Sequence, residues 1–69
     1  MTLEQLLMQF GFFISIAQCR KMAWEGHITI DGRQIAGSDL TYKAEEYAKV
    51  GSTIKIGRAT KTVEERHMR

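Results

Sequence analysis

The sequence predicts an α+β domain, with two short helices at its start and an antiparallel sheet built from the rest of the chain. Three observations carry this. Two helix-start signals, each leading into apolar residues at helical spacing, open the chain. An Asp-Gly pair between alternating apolar residues then marks a tight hairpin. A second alternating run closes the pattern near residue 56.

Thr2 is a good N-cap, and Gln5, three residues on, completes a capping box. Leu3, Leu6, Leu7 and Phe10 fall at i, i+3, i+4 and i+7, one face of a helix over residues 3–10 that Gly11 would stop. Ser15 and Gln18 repeat the capping box, and Ile14 with Cys19 would form a hydrophobic staple. Ile16, Cys19, Met22 and Ala23 make the apolar stripe of a helix over residues 16–25, ended by Gly26. Ala17, Arg20, Lys21 and Trp24 line its other face.

His27-Ile28-Thr29-Ile30 alternates, Asp31-Gly32 turns, and Arg33-Gln34-Ile35 returns. A two-residue loop puts Ile28 opposite Ile35 and Ile30 opposite Arg33, leaving Arg33 at the rim with its stem packed and its head free. Gly37-Ser38-Asp39 reads as a turn, and residues 41–48 could make one or two helical turns. Thr53-Ile54-Lys55-Ile56 alternates, and Gly57-Arg58 can turn it into a last strand over residues 60–63. The expected core is Leu3, Leu6, Leu7, Phe10, Ile16, Cys19, Met22, Ile28, Ile30, Ile54 and Ile56. The domain is expected to span residues 1–63, with 64–69 a charged, frayed tail.

Composition narrows the function. The 69 residues are 43% apolar and 26% charged, too apolar for disorder and too short for more than one domain. No apolar run approaches the ~18 residues of a membrane span, and the N-terminus does not resemble a signal peptide. A single cysteine, Cys19, makes no internal disulfide, which suits a reducing, cytoplasmic setting. It lies on the apolar stripe, where an inert buried thiol is much commoner than a nucleophile. The two histidines and one cysteine cannot supply a zinc site, and no glycine-rich loop leads into a helix. Catalysis, cofactors and metals are therefore not expected.

Ten basic against eight acidic residues give a net charge of +2, which permits a nucleic-acid partner without demanding one. Arg20, Lys21 and Trp24 cluster on one helix face, Arg33 comes just after the hairpin turn, and Lys55, Arg58 and Lys61 lie along the last strands. Trp24 could stack on a base, yet a tryptophan in so short a chain is more often a core residue.

The order of elements points further. Leu3-x-x-Leu6-Leu7, Gly11-Phe12, Ser15, Arg20, then Gly26-His27-Ile28-x-Ile30-Asp31-Gly32, and finally Val50-Gly51-Ser52-x-Ile54-x-Ile56-Gly57 resembles the alpha-L motif of S-four-type RNA-binding domains. Such domains occur in a small-subunit ribosomal protein, appended to bacterial tyrosyl-tRNA synthetases, in pseudouridine synthases and in small ribosome-associated heat-shock proteins. The resemblance covers about residues 2–57 and is most specific over 15–32. It implies two helices packed on a small, bent antiparallel sheet. It also implies contact with structured RNA (ribosomal or transfer RNA), on a ribosome or within a larger enzyme, and no catalysis. Carried over by position, Ser15, Arg20, Lys21, His27 and Arg33 are the RNA-binding candidates, with Lys55 added to the same phosphate-binding face. Glu4 and Gln5 stand where the family often has basic residues, and Ile16 where an Arg or Lys often comes after the serine, which lowers the implied affinity. The alternative is a protein-interaction module on the same scaffold, using an exposed patch of Phe12, Phe13, Trp24 or Tyr47.

Overall fold

A computed structural model describes residues 1–68. It is a small α+β domain of two helices, α1 (Leu3–Met8) and α2 (Ile16–Trp24), and a four-stranded sheet. The strands are β1 (Ile28–Ile30), β2 (Arg33–Gln34), β3 (Thr53–Ile56) and β4 (Ala59–Thr62), ordered β2-β1-β3-β4 with every pairing antiparallel.

The caps form as their chemistry requires. Thr2 Oγ1 accepts the Gln5 N–H, and Gln5 Oε1 accepts the Thr2 N–H, a reciprocal capping box. At α2 the Ser15 hydroxyl oxygen accepts the Gln18 N–H at 3.3 Å, but the Gln18 side chain accepts from Ile14, one residue earlier than a box requires. The expected staple is absent, because Ile14 is 93% exposed. The far end of α2 is a Schellman turn: Gly26 N–H bonds the Ala23 carbonyl, His27 N–H bonds the Met22 carbonyl, and Gly26 takes φ +79°. Helix α1 stops at Met8, two residues before the expected end.

We expect Ser15→Ala to cost about 1 kcal/mol, the usual loss for an N-cap serine. A chemical denaturation midpoint unchanged by the substitution would show that the cap contributes nothing.

Asp31 and Gly32 both take positive φ, 51° and 83°, as a type I′ hairpin turn requires. The register is the one read from the sequence: Ile30 pairs with Arg33 and Thr29 with Gln34. In β3, Ile54 and Ile56 lie opposite Ile30 and Ile28, so four isoleucines cover one face of the sheet. They meet Leu3, Leu6, Leu7, Cys19 and Ala23 of the helices, together with Phe13, Ile35, Leu40, Ala44, Ala48 and Val63.

Four further expectations are corrected. Ile16 is 46% exposed, and Phe10 and Met22 are only partly buried, because the buried line of α2 runs through Cys19 and Ala23. The turn read at Gly37-Ser38-Asp39 is a 3-10 turn, Gly37–Thr41, and of the helical turns read over residues 41–48 only a short 3-10 turn, Ala44–Glu46, forms. They are held by long-range partners: Leu3 N–H bonds the Tyr42 carbonyl, and Ala44 N–H bonds the Met1 carbonyl. Nor does the packed body end at residue 63. Glu65–His67 is a third 3-10 turn, Gln9 donates to the His67 carbonyl, and the His67 ring, 8% exposed, lies 4.2 Å from that of Phe10. Residue 69 of the expected tail lies outside the described residues. The last strand begins at Ala59 rather than 60 and ends at Thr62.

Candidate nucleic-acid interface

The six candidate residues do not form one face. Ser15 caps the start of α2 and His27 lies just past its end, so the helix, roughly 14 Å long, separates them. Between them, Arg20 turns toward α1, where its Nε and Nη2 donate to Glu4 Oε2 and Oε1 at 2.9 and 3.3 Å. This two-point bond to Glu4 holds the Arg20 guanidinium above its ordinary pKa and satisfies the fork that was expected to grip phosphate. Lys21 is exposed on the outer side of α2 and makes no ion pair among the described residues.

Arg33 is not free either. Its guanidinium carbon sits 4.7 Å from the centre of the Tyr47 ring, a cation–π contact. The Tyr47 hydroxyl donates to Asp39 Oδ1 at 2.7 Å, and Asp39 Oδ2 accepts the Ala36 N–H at 2.8 Å. Arg33 pairs across the hairpin with buried Ile30, so it lies at the rim of the helix-facing side of the sheet.

Asp39 therefore ties the first 3-10 turn to Tyr47. The Tyr47 hydroxyl foremost, then the Ala36 N–H, hold its carboxyl below the ordinary value, and nearby Arg33 adds to this. Tyr47 is correspondingly pushed up, first by its bond to Asp39. A carboxyl whose pKa is lower folded than unfolded adds stability above the unfolded value and loses it as pH falls through the folded one. Stability should therefore decline below about pH 4, modestly because the group is near solvent. Asp39→Asn should flatten that acid limb in thermal melts taken from pH 6 to 2.5, and an identical limb in the variant would refute the role.

Lys55 lies on the opposite side of the sheet. Its register partners are Thr29 in β1 and Thr60 in β4, and Thr29 in turn pairs with Gln34 of β2. Gln34, Thr29, Lys55 and Thr60 thus form a row across all four strands, roughly 14 Å wide, on the face away from the helices. Thr53 and Thr62 form the next pair on that face. His27 falls on the same side by alternation from Ile28, is exposed, and gives its carbonyl to Gly57 N–H. Arg58 stands in the two-residue β3–β4 turn, where Gly57 takes φ +58°.

Among the described residues this face carries hydroxyls, an amide, an imidazole and an ammonium, and no carboxylate within the row. Asp31 closes one end in the hairpin turn, where it accepts the Thr53 N–H at 2.9 Å. That bond first, and the Ser52 hydroxyl second, keep its carboxyl below the ordinary range. Ser52 is buried, and its oxygen also accepts the Lys49 N–H.

Of the six candidates, the structure brings together only His27 and Lys55. The threonines around them were missed. Their signal was the polar half of the same alternation that located the isoleucines, Thr29 between Ile28 and Ile30 and Lys55 between Ile54 and Ile56.

The aromatic residues also sort differently from the patch expected of a protein-interaction surface. Phe13 is buried, while Phe12 and Tyr47 are half-buried. Trp24 is 74% exposed, against the commoner core placement. Cys19 is fully buried, and burial above all, with Glu4 second, pushes its thiol up to about 11. It is thus protonated near neutral pH and unsuited to attack. No cluster of three or more His, Cys, Asp or Glu is placed to hold a metal among the described residues, and no helix there is long and apolar enough to cross a membrane. Comparison with protein-family models, with curated proteins and with solved structures finds no match.

Proposed function

We propose that this chain is a non-catalytic RNA-binding domain of S-four type that recognises structured RNA, ribosomal or transfer, by its phosphate geometry. The observation that carries the reading is the carboxylate-free row Gln34-Thr29-Lys55-Thr60, flanked by His27 and Arg58 on the solvent side of the sheet. Phosphate oxygens are bound by hydroxyl, amide and cationic donors, and here these donors stand together in a row that itself holds no carboxylate, with Asp31 at one end of the face. The arrangement of two capped helices, an Asp-Gly hairpin and a later alternating strand adds the motif resemblance. RNA helices are recognised mainly through shape, 2′-hydroxyls and phosphates, which a fixed polar face of this width can meet.

The contact surface differs from the one the motif implies. Arg20 is paired with Glu4 and Arg33 with the Tyr47 ring, so the sheet face around Lys55 takes the leading part and the helix corner a lesser one. Cytoplasmic residence belongs to the same proposal.

A gel-shift panel with ribosomal RNA, transfer RNA and duplex DNA tests it. Preferential retardation of a structured RNA, weakening as salt rises, is the expected result. No complex with any RNA at low salt would end the proposal. It would leave the exposed Trp24, Ile14 and Ile16 as the contact points of a protein-interaction module instead.

A further inference from the structure

Gly37 has no conformational reason to be glycine, since it does not take positive φ. Its reason is Trp24: a Cβ at position 37 would collide with the Cε2, Nε1 and Cδ1 atoms of the indole. The ring therefore lies directly against the backbone of the first 3-10 turn. It packs against this turn and yet remains 74% exposed. Burying the indole does not explain this arrangement, because most of the ring stays in water. Presenting it does.

Beside the ring is a cleft of about 220 Å³ lined by Ala23, Trp24, Gly26, Gln34, Ala36 and Gly37, with Ile35 at its floor. That is below the ~300–1,000 Å³ of pockets for drug-sized ligands, and it suits one planar ring system. No lining residue is charged. Glu25, the neighbouring acid, caps the helix and is not part of the lining. The Gln34 amide nitrogen donates to the Gly26 carbonyl at 3.0 Å, which fixes the side chain and leaves its Oε1 to accept from a ligand.

Gln34 is also the first member of the polar row on the sheet, and Gly26 directly precedes His27. The cleft is therefore continuous with the proposed phosphate-binding face. An aromatic plane, an amide edge and adjoining donors without carboxylates are the parts that hold an unpaired nucleotide: the base on the ring, the backbone on the donors.

We propose that Trp24 and this cleft form a stacking site for a single unpaired RNA base, next to the paired region held by the sheet. This rests on the RNA reading and adds to it a preference for a loop, bulge or end.

Trp24 is the only tryptophan, so its fluorescence reports this site alone. The probes are an RNA hairpin with an unpaired loop and a fully paired RNA duplex of the same stem. The hairpin is expected to quench the emission and to bind Trp24→Ala roughly tenfold more weakly, with the duplex affected little. Trp24→Phe, which keeps a ring, should retain most of the affinity. Gly37→Ala, which displaces the indole, should behave like Trp24→Ala. Circular dichroism melts confirm that each variant is folded, and position 24 is exposed enough to tolerate the change. Both RNAs bound by wild type and Trp24→Ala alike, with unmoved emission, would overturn the stacking site and leave the RNA reading standing. No binding of either RNA would overturn both. Self-association that depends on Trp24, seen by sedimentation without RNA, would assign the cleft to a protein surface and overturn the stacking site.

Discussion

Leu7→Ala should cost about 2–5 kcal/mol, the range for truncating a fully buried leucine. Leu7 has no exposed surface and belongs to the cluster that joins α1 to the isoleucine face of the sheet. A chain of 69 residues holds roughly 3–10 kcal/mol in total, so this one change removes a large share of its stability and, at the low end of that total, unfolds it. Ile16→Ala is the internal contrast. Ile16 looks equivalent in the sequence, but it is 46% exposed and should cost well under half as much. Urea unfolding of the two variants, with similar m-values and a far larger drop in midpoint for Leu7→Ala, is the expected result. Equal midpoints would mean that the buried side of α2 has been misplaced.

The same contrast separates what is legible in the sequence from what is not. The two N-caps, the Asp31-Gly32 turn and the isoleucine alternation are local, each specified by two to five neighbouring residues, and the structure has them where the sequence puts them, although the second capping box does not close. The failures are non-local. Ile16 has the right spacing from Cys19, but the buried line of α2 runs through Cys19 and Ala23 and leaves Ile16 46% exposed. Residues 41–48 contain good helix formers. They are nevertheless drawn into 3-10 turns by Asp39, Tyr47 and the backbone of the chain's first residues. The final residues look merely charged, yet His67 finds Phe10, 57 positions earlier, as a cover for its ring.

The second large effect is on RNA. Reversing charge on the sheet face, with Lys55→Glu and Arg58→Glu together, should abolish retardation of structured RNA at moderate salt while leaving the melting temperature close to that of the wild type. Both side chains are exposed and make no ion pair among the described residues, so folding has little stake in them. Phosphate binding has a large one, because two attractive charges become two repulsive ones beside the same backbone. By contrast Arg20→Ala should weaken binding little, since Glu4 already neutralises that guanidinium. Retained affinity in the double variant, or a greater loss with Arg20→Ala, would return the interface to the helix corner.

The candidate site was less legible than the fold for a physical reason. A sequence shows which residues carry charge, but not which charges are already paired. Glu4 lies 16 positions from Arg20, and Tyr47 lies 14 from Arg33; only the fold brings each pair together. Lys55 could be placed on the outer face from alternation alone, whereas for Trp24 the two signals conflicted: its place off the apolar stripe pointed to the surface, where it is, and composition to the core.

The most direct test of phosphate recognition by the sheet face is a salt titration of affinity for one structured RNA, comparing wild type with Lys55→Ala. Each phosphate contact adds close to one unit to the slope of log affinity against log salt. The expected result is a straight line for the wild type and one shallower by roughly one unit for Lys55→Ala, with affinity reduced across unrelated RNA sequences alike. Identical slopes and affinities for the two proteins would contradict the account.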